Sequence, residues 1–166
     1  MGISTDTNII ILKKFRNGGS LSEYSIVNRN ATDYKQLKIV GRLFAQNGHY
    51  VTILPTVHYK DKLYKEIFGS LIGTIYERKC PDLLIDGLFY EYESFAKPWK
   101  KHKIMRMLKH GSEQSNHVII NNTKGCSARF IRKMIVARQH TGNILSDVWV
   151  YEKGAIQQIL NNLKFL

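Results

Sequence analysis

The spacing of apolar and polar residues predicts a chain of alternating strands and helices. Residues 8–15 form an apolar run that ends at an Asn-Gly-Gly turn, which is typical of a short strand. Residues 32–46 carry apolar side chains three and four positions apart, which predicts a helix that ends at Gly48. Residues 50–54 predict a buried strand stopped by a proline. Residues 56–79, where aromatic and charged residues mix, fit a short helix or an excursion over a sheet.

A β-hairpin is predicted in the middle of the chain. Residues 83–85 predict one strand, Asp86-Gly87 is a typical hairpin turn, and residues 88–94 predict the returning strand. Because successive side chains of a strand point to opposite faces, the returning strand presents two sets of side chains. One face carries Phe89, Glu91 and Glu93, and the other carries Tyr90 and Tyr92.

The alternation continues to the end of the chain. A basic helix is predicted over residues 98–110 and a strand over residues 117–121. Ser127 has the sequence context of a helix cap, and an amphipathic helix is predicted after it. The last elements are expected to be a strand over residues 148–151 and a closing helix over residues 155–163.

This order predicts an α/β (α+β) fold with a mixed central sheet, in which a carboxylate-bearing hairpin is flanked by helices. A length of 166 residues fits one domain. We expect residues 31–166 to form that domain and residues 1–30 to be an N-terminal extension with a short strand and a turn.

Composition excludes several classes of protein. The chain is 43% hydrophobic and 23% charged, which favours a folded domain over a disordered one. An apolar run long enough to span a membrane is absent from the sequence, and the N-terminus lacks the layout of a secretory signal. Cys80 and Cys126 lie far apart, so neither a disulfide framework nor a cysteine-based zinc site is expected. We therefore expect a cytoplasmic protein without a membrane partner.

The charge balance indicates a polyanionic partner. Twenty-five Lys and Arg against 13 Asp and Glu give a net charge of +12. Such an excess favours nucleic acid, although it could also serve solubility alone. The basic residues expected to contact nucleic acid are Lys97, Lys100, Lys101, Lys103, Arg106, Arg129, Arg132 and Lys133.

The acidic residues are concentrated around the hairpin. Five of the 13 carboxylates lie between residues 77 and 93, directly before a basic run without acids. Glu91 and Glu93 share one strand face, and Asp82 precedes the partner strand, so the three side chains can converge. Carboxylate oxygens suit Mg²⁺ or Mn²⁺, and such an ion polarises a phosphoryl oxygen and activates water. The alternative is structural, with the two glutamates on the solvent face of an edge strand.

This segment resembles the signature of the PD-(D/E)xK nucleases. The resemblance lies in Pro81-Asp82, the strand and turn over residues 83–87, and the acidic strand over residues 90–93. It implies a restriction-endonuclease-like core in which Asp82 and Glu91 hold the metal. Glu93, a third candidate metal ligand, stands where the signature has lysine, and Lys109 from the following helix could supply that lysine.

The sequence more closely resembles the C-terminal tRNase toxin domains of CdiA-type contact-dependent inhibition proteins. The shared pattern is a helix ending at Gly48, a V-x-x-L-P strand at residues 51–55, and P-D-x-x-I-x-G at residues 81–87. A helix end at residues 109–114 and a V-I-x-N strand at residues 118–121 complete it. This resemblance implies a metal-dependent endonuclease acting on RNA such as tRNA, with an acidic immunity protein as partner.

Two alternatives remain open from the sequence. One is a metal-free RNase similar to the BECR group of toxins, using the segment 109–117, whose candidate catalytic residues are His110, Gln114, Ser115 and His117. The other is a basic nucleic-acid-binding protein that keeps a nuclease fold without catalysis. The second is suggested by Glu93 and by the predicted first helix, which holds no acid over residues 35–46.

Overall fold

The computed structural model describes residues 8–94, 102–122 and 125–161, which contain eight strands and four α-helices. The strands are β1 (Ile9–Lys14), β2 (Ser20–Tyr24), β3 (Tyr50–Ile53), β4 (Leu83–Ile85), β5 (Leu88–Glu93), β6 (His117–Asn121), β7 (Asp147–Glu152) and β8 (Ala155–Asn161). The helices are α1 (Tyr34–Gln46), α2 (Lys62–Phe68), α3 (His102–Gln114) and α4 (Ala128–Thr141), and a 3₁₀ turn (Gly69–Leu71) follows α2.

All eight strands form one mixed sheet in chain order. Three pairs of neighbouring strands are parallel, and a helix connects the two strands of each pair. Helix α1 connects β2 to β3, α3 connects β5 to β6, and α4 connects β6 to β7. The other neighbours are antiparallel. This architecture confirms the predicted single-domain α+β class with a mixed sheet.

Helices cover both faces of the sheet. On one face, Val40 and Phe44 of α1 pack in a core with Ile53 and Tyr90. On the other face, α3 and α4 pack together over β6 and β7 in a second core. The shorter α2 covers Leu84 and Phe89, on the strand face that also carries Glu91 and Glu93. The hairpin β4–β5 is therefore an internal part of the sheet and not an exposed edge.

Several local predictions are confirmed. α1 ends at Gln46, and Gly48 has a φ of +96°, as expected for a left-handed helix cap. The Ser127 side chain accepts a hydrogen bond from the Phe130 amide at 3.2 Å and caps α4. From α1 to β6 the order is helix, strand, short helix, hairpin, helix and strand, and α2 is the short helix that residues 56–79 were expected to fit.

The basic helix continues beyond its predicted end. α3 runs to Gln114, because Gly111 is a contact point and does not stop the helix. A Cβ atom on this glycine would lie 2.7 Å from Val118 Cγ1, so the missing side chain lets α3 approach β6. The predicted start of this helix, at residue 98, lies outside the described residues.

The predicted closing helix over residues 155–163 is wrong, since residues 155–161 form strand β8. Lys153 and Gly154 both have positive φ, at 49° and 79°, which is the backbone of a tight hairpin turn. That turn reverses the chain after β7 and pairs β8 with it. Apolar residues in this segment are spaced as in a helix, but the turn before them decides the pairing.

The sequence analysis missed β2. Its polar sequence SLSEY does not show a buried strand, yet Leu21, Ser22 and Glu23 are buried. Residues 9–24, which belong to the predicted N-terminal extension, contribute β1 and β2 to the same sheet as the rest of the chain.

Candidate active site

The hairpin register brings the predicted carboxylates together. Asp86 and Gly87 have positive φ (48° and 84°) and close the turn, and Leu83 pairs with Tyr90. The Asp82 amide donates to the Tyr90 carbonyl at 3.0 Å, which extends the pairing of β4 and β5 by one residue. The Tyr92 amide donates to Asp82 Oδ2 at 2.9 Å. This bond fixes the Asp82 carboxylate beside the strand that carries Glu91 and Glu93.

Burial, together with nearby acidic residues, raises the pKa of all three carboxylates. Burial, reinforced by the charges of Asp82 and Glu93, raises the pKa of Glu91 to about 10. Burial raises the pKa of Asp82 to about 7, against the hydrogen bond from the Tyr92 amide. Burial and the charge of Asp82 also raise the pKa of Glu93 to about 7, and Glu113 of α3 contributes further. Within the described residues, burial therefore disfavours the ionised forms of these three acids.

Glu91 carries an unsatisfied oxygen. Its Oε2 is buried and has no hydrogen-bond partner among the described residues. A buried polar atom without a partner costs about 1–3 kcal/mol, so such an atom needs a structural or functional explanation. The carboxylates offer the hard oxygen donors that Mg²⁺ and Mn²⁺ prefer, and a cation would satisfy this oxygen. Within the described ranges, the side chains are not arranged as a group of three or more His, Cys, Asp or Glu able to hold a metal ion. Coordination by all three carboxylates would therefore require side-chain rotation.

A fourth acid, Asp33, joins this cluster from α1. Its charge contributes to the raised pKa of both Asp82 and Glu91. Asp33 occupies the N-cap position of α1, where its side chain makes no capping hydrogen bond within the described structure. The sequence analysis did not select Asp33, because this residue lies just before the stretch 35–46 of the first helix, which holds no acid. An acid directly before a helix that lacks acids is a signal that could have identified it.

A cleft of about 250 Å³ opens beside Asp33 and Asp82. Tyr34 and the Pro55-Thr56 segment contribute to its walls. Tyr34 is held by Glu23, which is fully buried and accepts the Tyr34 hydroxyl at 2.6 Å. A cleft of this size can admit a small group of a substrate and bring it next to the two acids.

Among the described residues, Lys79 is a cation that acts on Glu91, and the sequence analysis did not select it. Its charge lowers the pKa of Glu91 against the larger effect of burial. The Lys79 carbonyl accepts the Tyr64 hydroxyl at 3.0 Å, which ties this segment to α2. Lys109, the predicted lysine, is exposed on α3, and Glu113 of the same helix contributes to the raised pKa of Glu93.

The candidate metal-free residues do not share one surface. His110 is exposed on α3 and Gln114 is half-buried at its end. Ser115 is buried, donates to the Phe89 carbonyl at 2.7 Å and accepts the His117 amide at 3.0 Å. His117 packs against Tyr90 on the face opposite α3, with ring centroids 5.1 Å apart, and burial lowers its pKa. Ser115 and His117 therefore act as structural residues in this arrangement.

The predicted nucleic-acid contacts lie on α3 and α4. Arg106 on α3 and Arg129, Arg132 and Lys133 on α4 are exposed, and Lys103 is half-buried. Both helices cover the sheet face that carries Glu91 and Glu93, and α4 contains no acidic residue. Lys97, Lys100 and Lys101 lie outside the described residues.

None of the described helices is long and apolar enough to cross a membrane.

Comparisons with protein-family models, with curated proteins and with solved structures found no match to this chain. A function for this α+β domain must therefore be argued from the carboxylate cluster itself.

Proposed function

We propose that this protein is a metal-dependent nuclease that hydrolyses phosphodiester bonds, with RNA such as tRNA as its substrate. The observation that carries the proposal is the cluster of Asp82, Glu91 and Glu93, which are buried enough to raise the pKa of each, with one oxygen of Glu91 unsatisfied among the described residues. Perturbed carboxylates beside a cleft favour a functional site over a purely structural one. The proposal also draws on the sequence resemblance to PD-(D/E)xK nucleases at residues 81–93.

In this proposal Asp82 and Glu91 hold the divalent ion, and Glu93 would contribute only after rotation of its side chain. The bound ion would polarise a phosphoryl oxygen and lower the pKa of a water molecule. Glu93, which shares the strand face of Glu91, would exchange a proton with that water at its carboxylate. Lys79 supplies positive charge close to Glu91, in the role that the Lys of the family signature would have.

The substrate backbone would lie along α3 and α4. Their exposed Arg and Lys side chains are on the same side of the sheet as Glu91 and Glu93. Phosphate contacts of this kind supply affinity without sequence specificity. The same positive charge would attract an acidic immunity protein, whose binding would block access to nucleic acid in the cytoplasm.

The proposal is tested by incubating the purified protein with tRNA and with plasmid DNA, each in Mg²⁺, in Mn²⁺ or in EDTA. We expect metal-dependent cleavage of tRNA, and its loss in Asp82→Asn. The matched control is Asp86→Asn at the other end of the same hairpin. An asparagine there keeps an oxygen acceptor for the Tyr50 amide and tolerates positive φ, so this control should remain active.

Other outcomes favour the alternatives. Cleavage that persists in EDTA and in Asp82→Asn would contradict the metal site and return attention to the segment 109–117. Binding of nucleic acid without cleavage would support a non-catalytic binding protein, an alternative suggested by Glu93 in place of lysine.

A further inference from the structure

An aromatic and cationic cluster lies on the surface around Tyr59. The Tyr59 side chain is 39% exposed, and its ring lies 4.8 Å from that of His58, tilted by 34°. The Arg78 guanidinium lies 4.7 Å from the Tyr59 ring centroid, and Lys60 Nζ lies 5.8 Å from it. We call these four residues, His58, Tyr59, Lys60 and Arg78, the Tyr59 cluster.

The Tyr59 cluster adjoins the candidate active site through both of its chain segments. Thr56 lines the cleft that contains Asp82, just before the cluster begins. Arg78 precedes Lys79, the residue whose charge acts on Glu91. The two segments are held together where Cys80 Sγ donates to the Val57 carbonyl at 3.3 Å.

Local hydrogen bonds hold the cluster in place. The Asp61 amide donates to the His58 carbonyl at 2.8 Å, and the Lys60 amide donates to His58 Nδ1 at 3.3 Å. The Asp61 side chain caps α2 by accepting the Leu63 amide at 3.1 Å. Arg78 has a φ of +69°, which is unusual for a residue with a side chain. The surrounding structure thus keeps Arg78 over the Tyr59 ring.

These groups have the chemistry of a site for an unpaired base. Aromatic rings and Arg guanidinium planes stack with nucleobases of any sequence, and nearby cations hold the adjoining phosphates. The positive charge of Lys60, Arg78 and Lys79 favours this occupant, although Glu77 lies 4.0 Å from Arg78 Nε and offsets part of it. Bases in a duplex are already stacked on each other, so their faces are not available to the cluster.

We propose that the Tyr59 cluster is a stacking subsite for an unpaired nucleobase next to the scissile phosphate, so that the substrate is a single-stranded segment of nucleic acid. This inference rests on the proposed nuclease function and adds its substrate class. The base extends the existing stack of Tyr59 and Arg78, and Lys60 contacts its phosphate.

The test measures binding to the full chain carrying Asp82→Asn, so that cleavage does not interfere. The probes are single-stranded RNA and DNA oligonucleotides containing 2-aminopurine, and a duplex of the same sequence. We expect Tyr59→Ala to weaken single-strand binding by about 5- to 150-fold and to abolish the quenching of 2-aminopurine. Tyr59→Phe should retain both, and duplex affinity should not change.

The matched control is Tyr50→Ala, which removes a tyrosine that is 64% exposed at the Asp86 end of the sheet. It should leave single-strand binding unchanged. Tyr59→Leu keeps apolar bulk without an aromatic face, so it serves as a second variant if Tyr59→Ala does not fold. It should lose the same affinity and quenching as expected for Tyr59→Ala.

The two proposals fail in different ways. If Tyr59→Ala, or Tyr59→Leu in its place, binds single strands as tightly as the parent, or loses duplex and single-strand affinity equally, the stacking subsite is refuted. The nuclease function would stand in that case if the wild-type chain still cleaves tRNA. If the wild-type chain neither binds nor cleaves any nucleic acid, the proposed function itself fails.

Discussion

Among single residues, Glu91 shows most directly how a carboxylate proposed to bind a cation lowers the stability of the metal-free protein. Its neutral form is favoured in the folded chain, because burial and neighbouring carboxylates raise its pKa to about 10. In the unfolded chain the same group ionises at a pKa of about 4.3. Between these values the unfolded state binds fewer protons, so the contribution of Glu91 to stability falls as pH rises. Such a cost is expected where a carboxylate is kept for binding a cation.

Glu91→Gln should therefore stabilise the protein. We expect the free energy of unfolding in EDTA at pH 7.5 to increase by about 1–3 kcal/mol, because the variant has no carboxyl group to keep neutral. The gain should vanish near pH 4. Urea unfolding at both pH values measures it, with Glu66→Gln on the exposed face of α2 as the control. A gain that is equal at both pH values would contradict the explanation.

His117 predicts a pH dependence of opposite sign. Burial lowers its pKa, so protonation is easier in the unfolded chain and stability is lost as pH falls below the unfolded value near 6.5. We expect His117→Gln to show a flatter loss of unfolding free energy between pH 7 and pH 5 than the wild type. His140→Gln, which removes an exposed histidine of α4, should keep the wild-type slope. Equal slopes for all three proteins would refute this role.

Among elements, local signals predicted those whose boundaries are set by short-range contacts. α1 and α4 have caps within a few residues of their ends, and the β4–β5 turn has two residues with positive φ. β8 was mistaken for a helix because its apolar spacing is ambiguous and pairing with β7 decides its conformation. α3 continues through Gly111 because that glycine packs against β6, a contact that no local pattern contains.

Gly111→Ala tests the packing of α3. The new methyl group would lie 2.7 Å from Val118 Cγ1 and 3.4 Å from Glu93 Cγ, so the helix must move away from the sheet. We expect a loss of about 1–3 kcal/mol in unfolding free energy, measured by urea denaturation. Gly69→Ala is the control, since a Cβ there has nothing within 4 Å in the described structure. An unchanged stability of Gly111→Ala would show that α3 is not tightly seated.

For the whole molecule, a net charge of +12 supports the proposed polyanionic partner more than any single residue does. Part of this charge lies on one side of the sheet, because α3 and α4 carry exposed cations on the side of Glu91 and Glu93. The exposed cations of β1 lie at one edge of the sheet, away from the strands β6 and β7 that α3 and α4 cover. Location, and not total charge alone, should therefore decide binding.

Replacing Arg129, Arg132 and Lys133 by Gln tests whether the cations of α4 contact nucleic acid. Each lost phosphate contact should reduce the slope of log K against log salt by about 0.7 for single-stranded nucleic acid. Replacing Lys13, Lys14 and Arg16 by Gln removes the same charge from the region of β1 and should have a smaller effect. Binding isotherms at several salt concentrations measure both slopes. Equal slopes would mean that α4 is not the interface.

Local patterns were sufficient to predict the hairpin, the shared face of Glu91 and Glu93, and the positive charge, because strand alternation, turn chemistry and composition are properties of short segments. Contacts between distant segments were needed to show that the returning strand is buried, that Asp33 and Lys79 both act on Glu91, and that β8 is a strand. Burial and the meeting of distant residues depend on how α1 and α3 pack across the sheet. The pKa of Glu91, and with it the argument for a cation, follows from that packing.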